Sequence, residues 1–381
     1  MTVFIHDAVR TPRGKARPDG GLASQTPHGL VARLVDAIEQ RGSEARRVDQ
    51  LTLGCVGQVG AQGGHVGMVA KLASGLPDST VTHTLNNYCA SGLSAIGQAA
   101  AAIEAGQIDR ALAGGVEMMS HVPFMADRAS YYEATDFEPR LRYIPVALAA
   151  DLLAEKEGIG RADLDAVALR SQTLAAAAEG NAAFQRSRIT VGDLDRDEAV
   201  RPTTADKLAA LPSAFVAMAD TYAGPLEARA IDHRHTVAHA PPMADGAALA
   251  LVGRDGSGAR ARILGYAEAG GDPRDSLTAG FAALDKVLAA TNLTLADVGR
   301  IEFMEAFAVV IARFLREGRI DEDRVNVSGG HLAKGHPMGA TGAILLSTLL
   351  DVLEAADETI GVVVATGAQG VGAAMVVERL A

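Results

Sequence analysis

Tryptophan is absent from this chain of 381 residues, and phenylalanine and tyrosine keep the aromatic share at 4%. A core without many large rings must pack through aliphatic side chains, and apolar residues of all kinds reach 48% of the sequence. The 41 glycines indicate close contacts between helices and sheets and sites lined by backbone, because glycine leaves no side chain between two approaching backbones.

Cysteine and positive charge are scarce as well. The two cysteines, Cys55 and Cys89, are too few for the disulfide framework of a small secreted domain. The formal net charge is −11 and no block of Lys and Arg occurs, so we expect no nucleic-acid partner, and an acidic ligand would need a local basic patch. No signal peptide or long apolar span is recognised, so we expect a cytoplasmic protein with no membrane partner.

The length and the pattern of apolar residues predict an α/β protein with more than one unit. A chain of this length exceeds a single compact core. Strand-like apolar runs at both ends of the sequence enclose a middle segment that is richer in charge, Met, Tyr and Pro. We therefore predict a first half formed by residues 1–120 and 236–253, an inserted domain at 121–235, and a second half at 254–381.

The two outer parts repeat one arrangement. In the first, small residues precede a helix predicted at 95–105, a strand at 110–113 and a glycine turn at 114–115. In the last third, the same order predicts a helix at 343–353 and a strand at 361–365. This self-similarity indicates a duplicated α/β unit.

Cys89 lies where small polar residues run into the first of these helices. A helix N-terminus carries partial positive charge and free backbone N–H groups, which favour a thiolate over a thiol. The position suits a nucleophile, although a small buried core cysteine fits the same local pattern. Cys55, by contrast, lies within the apolar run at 51–56 and is predicted to belong to the core.

A glycine-dense loop at 329–342 contains His336. Glycines let a loop bring an imidazole against a ligand without obstruction by side chains. Beside a reactive cysteine, this histidine would act as a base toward the thiol and as an acid toward a leaving group. A surface histidine is the alternative, but its place in the second half, opposite Cys89 in the duplicated unit, favours the catalytic role.

Five short motifs occur in order along the chain: NYCASG at 87–92, AGGVEMMS at 113–120, EAFA at 305–308, NVSGG at 326–330 and GHPMGATG at 335–342. Together they resemble the motif set of the thiolases, the acyl-CoA:acetyl-CoA C-acyltransferases. The resemblance extends from AVRTP at 8–12 to VVER at 376–379 and so covers essentially the whole chain. Several long motifs in a shared order make this resemblance specific.

The resemblance implies a thiolase-like fold, in which two duplicated α/β halves form a layered αβαβα core and a loop domain projects from the first half. It also implies a homodimer or homotetramer, no metal, no tightly bound cofactor, and a coenzyme A thioester as substrate. By the same resemblance, Cys89 accepts the acyl group, and His336 activates it and helps to form the oxyanion hole for the thioester. The backbone N–H groups of Cys89 and Ala368 would form a second oxyanion hole.

Three positions depart from the thiolase pattern. The second cysteine of the family removes and returns the α-proton of acetyl-CoA; Thr366 takes its place here, and a hydroxyl is too weakly acidic to do that work unaided. The asparagine that holds a water in the first oxyanion hole is Met304, and a serine that contacts the pantetheine arm is Pro241. Three parts of the machinery for making carbon–carbon bonds are therefore altered.

These departures leave two main hypotheses. In the first, the chain is an acyltransferase that forms acyl-Cys89 from an acyl-CoA but is slow in thiolysis and Claisen condensation. In the second, it is a catalytically degenerate thiolase-like protein with a binding or structural role. A third possibility is that His239, Lys334 or His331 replaces the missing base, but each can equally be an incidental polar residue on an altered loop.

Overall fold

The computed structural model describes residues 2–380. Its strands are β1 (Val3–Arg10), β2 (Gly14–Lys15), β3 (Gln50–Gly54), β4 (Val81–Leu85), β5 (Arg110–Met118), β6 (Ala244–Gly253), β7 (Ala261–Gly270), β8 (Arg300–Phe303), β9 (Ile360–Gly367) and β10 (Val371–Arg379). Its helices are α1 (Pro27–Gln40), α2 (Val66–Ala73), α3 (Ser91–Glu104), α4 (Val146–Glu157), α5 (Arg161–Glu179), α6 (Ala205–Ala209), α7 (Val216–Thr221), α8 (Ala279–Thr291), α9 (Ala308–Arg316), α10 (His331–Lys334) and α11 (Thr341–Ala356).

The strands form two similar half-sheets. The first has the order β4-β3-β5-β6-β1, with β2 beside β6, and the second has the order β7-β10-β9-β8. Antiparallel pairing of residues 3–5 with 261–263 joins β1 to β7 and so links the halves. Helices α3 and α11 contact each other and the half-sheets, α1 and α2 pack on the first half-sheet, and α8 packs on the second. The predicted α/β architecture with an αβαβα layering is therefore confirmed.

The predicted repeat of helix and strand is confirmed, with one correction. In both halves a buried helix of the central layer, α3 or α11, leads to a strand, β5 or β9. The predicted turn at Gly114 and Gly115 is wrong, because β5 continues to Met118. A Cβ at Gly114 would lie 2.0 Å from the carbonyl oxygen of Ala248, and one at Gly115 would lie 2.2 Å from that of Gly339. These glycines permit close backbone packing rather than a turn.

The middle segment consists of helices α4 to α7 and long connections. Its two longest helices are α4 and α5. Helix α5 packs on α9 and α10 of the second half, so the segment covers one side of the site described below. The division into three units stays a prediction, and its terminal residues Met1 and Ala381 lie outside the described part of the chain.

The last core helix corrects one expectation about the sequence. Residues Met338–Ala356 are long and apolar enough, by length and composition, to span a membrane. Their most apolar window is 89% buried inside the protein, as expected for a core helix that is covered by sheets on both sides.

Candidate active site

Cys89 and His336 meet although 247 residues separate them in the sequence. The sulfur of Cys89 lies 3.2 Å from Nε2 of His336. Cys89 precedes α3 directly after Tyr88, whose φ of 46° turns the chain into the helix. The predicted position at a helix start and the predicted pairing with His336 are both found in the structure, and the geometry lets the thiol donate to the imidazole.

Two contacts hold His336 in place, one at its backbone and one at its imidazole ring. The backbone N–H of His336 donates to the carbonyl oxygen of Pro242 at 2.8 Å. The other ring nitrogen, Nδ1, lies 2.7 Å from Oγ1 of Thr341, the first residue of α11. Sequence reasoning assigned no role to Thr341. The available signal was a hydroxyl residue five positions after the histidine, at the start of a helix.

Burial favours the neutral form of both partners. It raises the pKa of Cys89 to about 12, and the nearby charge of Glu117 adds to the rise, while N–H donors from Ala368 and Cys89 itself oppose it. Burial also lowers the pKa of His336 to about 3, and the positive charge of Arg13 acts in the same direction. Burial therefore opposes the thiolate that the helix start favours.

Backbone donors surround the sulfur. The N–H groups of Cys89 and Ala368, both predicted as oxyanion donors, hydrogen-bond to the sulfur and favour its charged form. The turn that contains Ala368 follows Gly367, where an added Cβ would lie 3.2 Å from Cβ of Cys89. A side chain here would press on the nucleophile, so glycine lets the backbone of residues 367–368 approach it.

The carboxylate of Glu117 connects the loops beneath the site through hydrogen bonds. It accepts hydrogen bonds from the backbone N–H groups of Val56, Gly57 and Gly339 and from the side chain of Gln62. Gly339 belongs to the turn that joins His336 to α11, so this buried carboxylate fixes the histidine loop against the first half. The sequence signal for this buried carboxylate was an acidic residue near the end of a largely apolar strand.

An apolar cavity of about 180 Å³ opens onto the pair. It is lined by Cys89, Met119, Phe124, Pro145, Val146, Ala147, Phe215, Met218, Ala240, Pro241, Met243, Leu277, Ala306, Phe307, His336 and Met338. Cys89 and His336 are the only titratable residues in that lining, which lies wholly within the described residues 2–380. Any chemistry in this cavity that moves a proton through a side chain must therefore use one of these two groups.

The three altered positions have different surroundings. Thr366 is buried and does not line the cavity; its hydroxyl accepts a hydrogen bond from the backbone N–H of Gly280 at 3.3 Å. Met304 is buried in the core and also lies outside the cavity lining. Pro241 lines the cavity, as a contact with the substrate arm would require.

The substitute bases considered from sequence are all buried away from the cavity lining. Nε2 of His239 lies 2.8 Å from a carboxylate oxygen of Asp165, and burial lowers the pKa of His239 to about 4. Lys334 donates to the hydroxyl of Ser328, and burial holds the pKa of His331 well below its usual range. The structure does not bring any of the three to the cavity.

A basic patch lies beside the cavity. Lys15, Arg17 and Arg201 line a depression together with one carboxylate, Glu198, which accepts from the backbone N–H of Lys15. The depression shares Met243 with the cavity at Cys89. An acidic ligand requires such a patch, and composition alone does not locate it. These side chains come from the segment after β1 and from the connection before α6, which are far apart in the sequence.

The arrangement is that of a cysteine–histidine acyl-transfer site with backbone donors at the sulfur. Family profiles described as "Thiolase, N-terminal domain" and "Thiolase, C-terminal domain" match residues 3–255 and 258–379. The chain belongs to the thiolase family, a family of acyltransferases.

Its relatives carry several thiolase names. It is 36% identical to the beta-ketoadipyl-CoA thiolase of Pseudomonas knackmussii, with 99% of each chain covered. It is also 36% identical to the acetyl-CoA acetyltransferase of Escherichia coli, with 99% of this chain and 98% of the relative covered. The crystal structure of the Bacillus anthracis acetyl-CoA acetyltransferase superimposes with a TM-score of 0.85 at 30% identity, covering 100% of this chain and 99% of that one.

Proposed function

We propose that this chain takes an acyl group from an acyl-CoA thioester onto the sulfur of Cys89. The observation that carries the proposal is the 3.2 Å contact between this sulfur and Nε2 of His336, at the edge of an apolar cavity. The names of the relatives support coenzyme A thioesters as the substrate class. The basic patch at Lys15, Arg17 and Arg201 provides positive charge near the cavity for the phosphates of coenzyme A.

In the first step, the sulfur attacks the thioester carbonyl carbon while Nε2 of His336 takes the thiol proton. The oxyanion that forms is stabilised by the N–H groups of Cys89 and Ala368. The carbon–sulfur bond to coenzyme A then breaks, and His336 returns the proton to the departing thiolate. Because burial favours the neutral form of both groups, we expect proton transfer to accompany the attack.

The cavity favours an apolar acyl group. Its lining is apolar apart from Cys89 and His336. No Lys or Arg is among its lining residues, all of which lie in the described chain, so a carboxylate at the end of the acyl chain of the donor would stay unpaired. We therefore propose acyl-CoA thioesters with an uncharged, apolar acyl chain as donors.

We propose further that thiolysis and condensation with acetyl-CoA are slow. Both need a second acid–base group at the α-carbon. The residue at the family position for that group is Thr366, whose hydroxyl accepts a hydrogen bond from the backbone N–H of Gly280. Acyl transfer to and from a thiol needs only His336 and is retained. A purely structural role is the competing hypothesis, and no observation favours it over the intact Cys89–His336 pair.

Intact-protein mass spectrometry after exposure to butyryl-CoA tests the acyl-enzyme. We expect one butyryl group per chain, lost in Cys89→Ala and strongly reduced in His336→Ala. Cys55→Ala is the matched control: Cys55 is the only other cysteine, is fully buried, and should leave labelling unchanged. Labelling that persists in Cys89→Ala, or that never occurs in the unmodified protein, would contradict the proposal.

A homo-oligomer is the proposed assembly. Strand β4 ends the sheet and pairs only with β3 among the described strands, and neighbouring Val81 and Leu72 expose 52% and 67% of their surface. An open edge can pair with its own copy about a twofold axis. Light scattering should show a dimer or tetramer that Val81→Lys dissociates, while Val237→Lys, exposed elsewhere, leaves it intact.

A further inference from the structure

We propose that the acyl group on Cys89 passes to the α-carbon of a β-carboxylated thioester such as malonyl-CoA, which supplies its own carbanion by losing carbon dioxide. The inference rests on the proposed acyl-Cys89 intermediate and adds the identity of the acceptor. It follows from which groups the cavity still offers once the nucleophile has been acylated.

After acylation, the sulfur of Cys89 is part of a thioester and cannot act as a base. His336 is then the one titratable side chain left in the lining of the cavity, within the described residues. Burial has made it a weak base, with its pKa lowered to about 3. A carbon–hydrogen bond beside a thioester is a much weaker acid than a thiol, so this imidazole cannot form the enolate of acetyl-CoA efficiently.

No side chain next to the sulfur replaces the missing base. Residue 367 is a glycine, and an added Cβ there would lie 3.2 Å from Cβ of Cys89. The hydroxyl of Thr366 accepts a hydrogen bond from the backbone N–H of Gly280. His239 is held by Asp165, outside the cavity lining. An acceptor that generates its carbanion without losing a proton avoids this deficiency.

Decarboxylation supplies that carbanion in a balanced step. The bond between the α-carbon and the carboxylate breaks, carbon dioxide leaves, and the electron pair remains as the thioester enolate. The α-carbon attacks the acyl carbonyl carbon, a carbon–carbon bond forms, and the bond from that carbon to the Cys89 sulfur breaks. The released thiolate takes one proton from solvent, and the product is a 3-ketoacyl thioester.

The apolar lining favours this route. A carboxylate in a cavity without Lys or Arg lacks an ionic partner, and its charge leaves the carboxyl group as carbon dioxide forms. The charge moves to the enolate oxygen, where Nε2 of His336 can donate a hydrogen bond. Thr341 permits this change of role, because a hydroxyl 2.7 Å from Nδ1 can either accept from it or donate to it.

The test compares two acceptors on the same acyl-enzyme. The protein is first loaded with butyryl-CoA and freed of excess donor, and loading is verified by intact mass. Malonyl-CoA with an isotopically labelled free carboxyl group, or acetyl-CoA, is then added. We measure the 3-ketohexanoyl-CoA formed, the labelled carbon dioxide released and the butyryl-Cys89 that remains.

We expect malonyl-CoA to discharge the acyl-enzyme faster than acetyl-CoA by on the order of 10²–10⁴, the usual contribution of a positioned general base. Labelled carbon dioxide and 3-ketohexanoyl-CoA should appear in equal amounts. Failure to load Cys89 would count against the proposed function itself. A loaded enzyme that malonyl-CoA does not discharge, that releases carbon dioxide without condensation, or that uses acetyl-CoA equally well would overturn the inference alone.

Discussion

The Nδ1 atom of His336 lies 2.7 Å from Oγ1 of Thr341, while the opposite ring nitrogen faces the sulfur of Cys89. The first residue of α11 thus orients the imidazole that contacts the sulfur at the start of α3. The two helices form the central layer, one from each half of the chain. The contact between Cys89 and His336 therefore depends on the packing of the duplicated halves.

Replacing Thr341 by valine should slow acylation of Cys89. Valine keeps the shape of threonine but removes the partner of Nδ1, and one buried hydrogen bond of about 1.4 kcal/mol corresponds to about tenfold in rate. Rapid-quench labelling with butyryl-CoA would measure the change. Thr341→Ser retains the hydroxyl and should stay near the rate of the unmodified protein, and a valine variant with that same rate would refute the role of the hydroxyl.

The reactivity of Cys89 should respond to pH unlike that of an ordinary cysteine. Free cysteine, with a pKa near 8.5, reaches its alkylation plateau soon above that pH. Burial raises the pKa of Cys89 to about 12, so its alkylation by iodoacetamide should be slow at pH 7 and still rising at about pH 10. The difference between the unmodified protein and Cys89→Ala isolates this site. A plateau reached near neutral pH would instead reveal a stable thiolate.

Buried neutral histidines should destabilise the protein in acid. The pKa of His336 is lowered to about 3 and that of His239 to about 4, while the unfolded chain binds these protons near pH 6.5. Unfolding therefore takes up protons below about pH 6.5. As the pH falls, proton binding by these histidines in the unfolded chain lowers the free energy of unfolding.

Each such histidine contributes about 1.4 kcal/mol per pH unit between its two pKa values. Urea unfolding at a series of pH values between about 6.5 and 4 would measure the slope. His239→Gln should reduce the slope by about one such increment, since glutamine cannot take up the proton. An unchanged slope in that variant would mean that His239 is protonated in the folded protein.

A thiol at position 366 should raise thiolysis. Thr366→Cys restores the family's second sulfur, and cysteine lacks the branch that limits rotation of threonine, so the sulfur can leave the Gly280 N–H. Release of acyl-CoA from a 3-ketoacyl-CoA and coenzyme A would report the gain. Thr366→Ser, which keeps a hydroxyl, should show none. If the cysteine variant also shows none, Met304 and Pro241 become the cause of slow turnover.

Much of the fold could be predicted because the apolar pattern along the chain is strong. The helices predicted at 95–105 and 343–353 and the strand predicted at 361–365 follow from local periodicity and hydrophobicity. The sequence predicts a turn at Gly114 and Gly115 that the structure does not contain, because a glycine that admits a neighbouring backbone and one that permits a bend look the same in sequence. Location in the cytoplasm and the number of subunits stay predictions.

The sequence by itself determined the family, because membership depends on residue identity and order. For the same reason it predicted Cys89 as the candidate nucleophile, His336 as its partner and Thr366 in place of the family's second cysteine. Only the tertiary structure decided that burial raises the pKa of Cys89, that Thr341 contacts Nδ1 of His336, and that His239, Lys334 and His331 do not line the cavity. The reason is physical: pKa and reach depend on burial and on groups that folding brings together from distant segments.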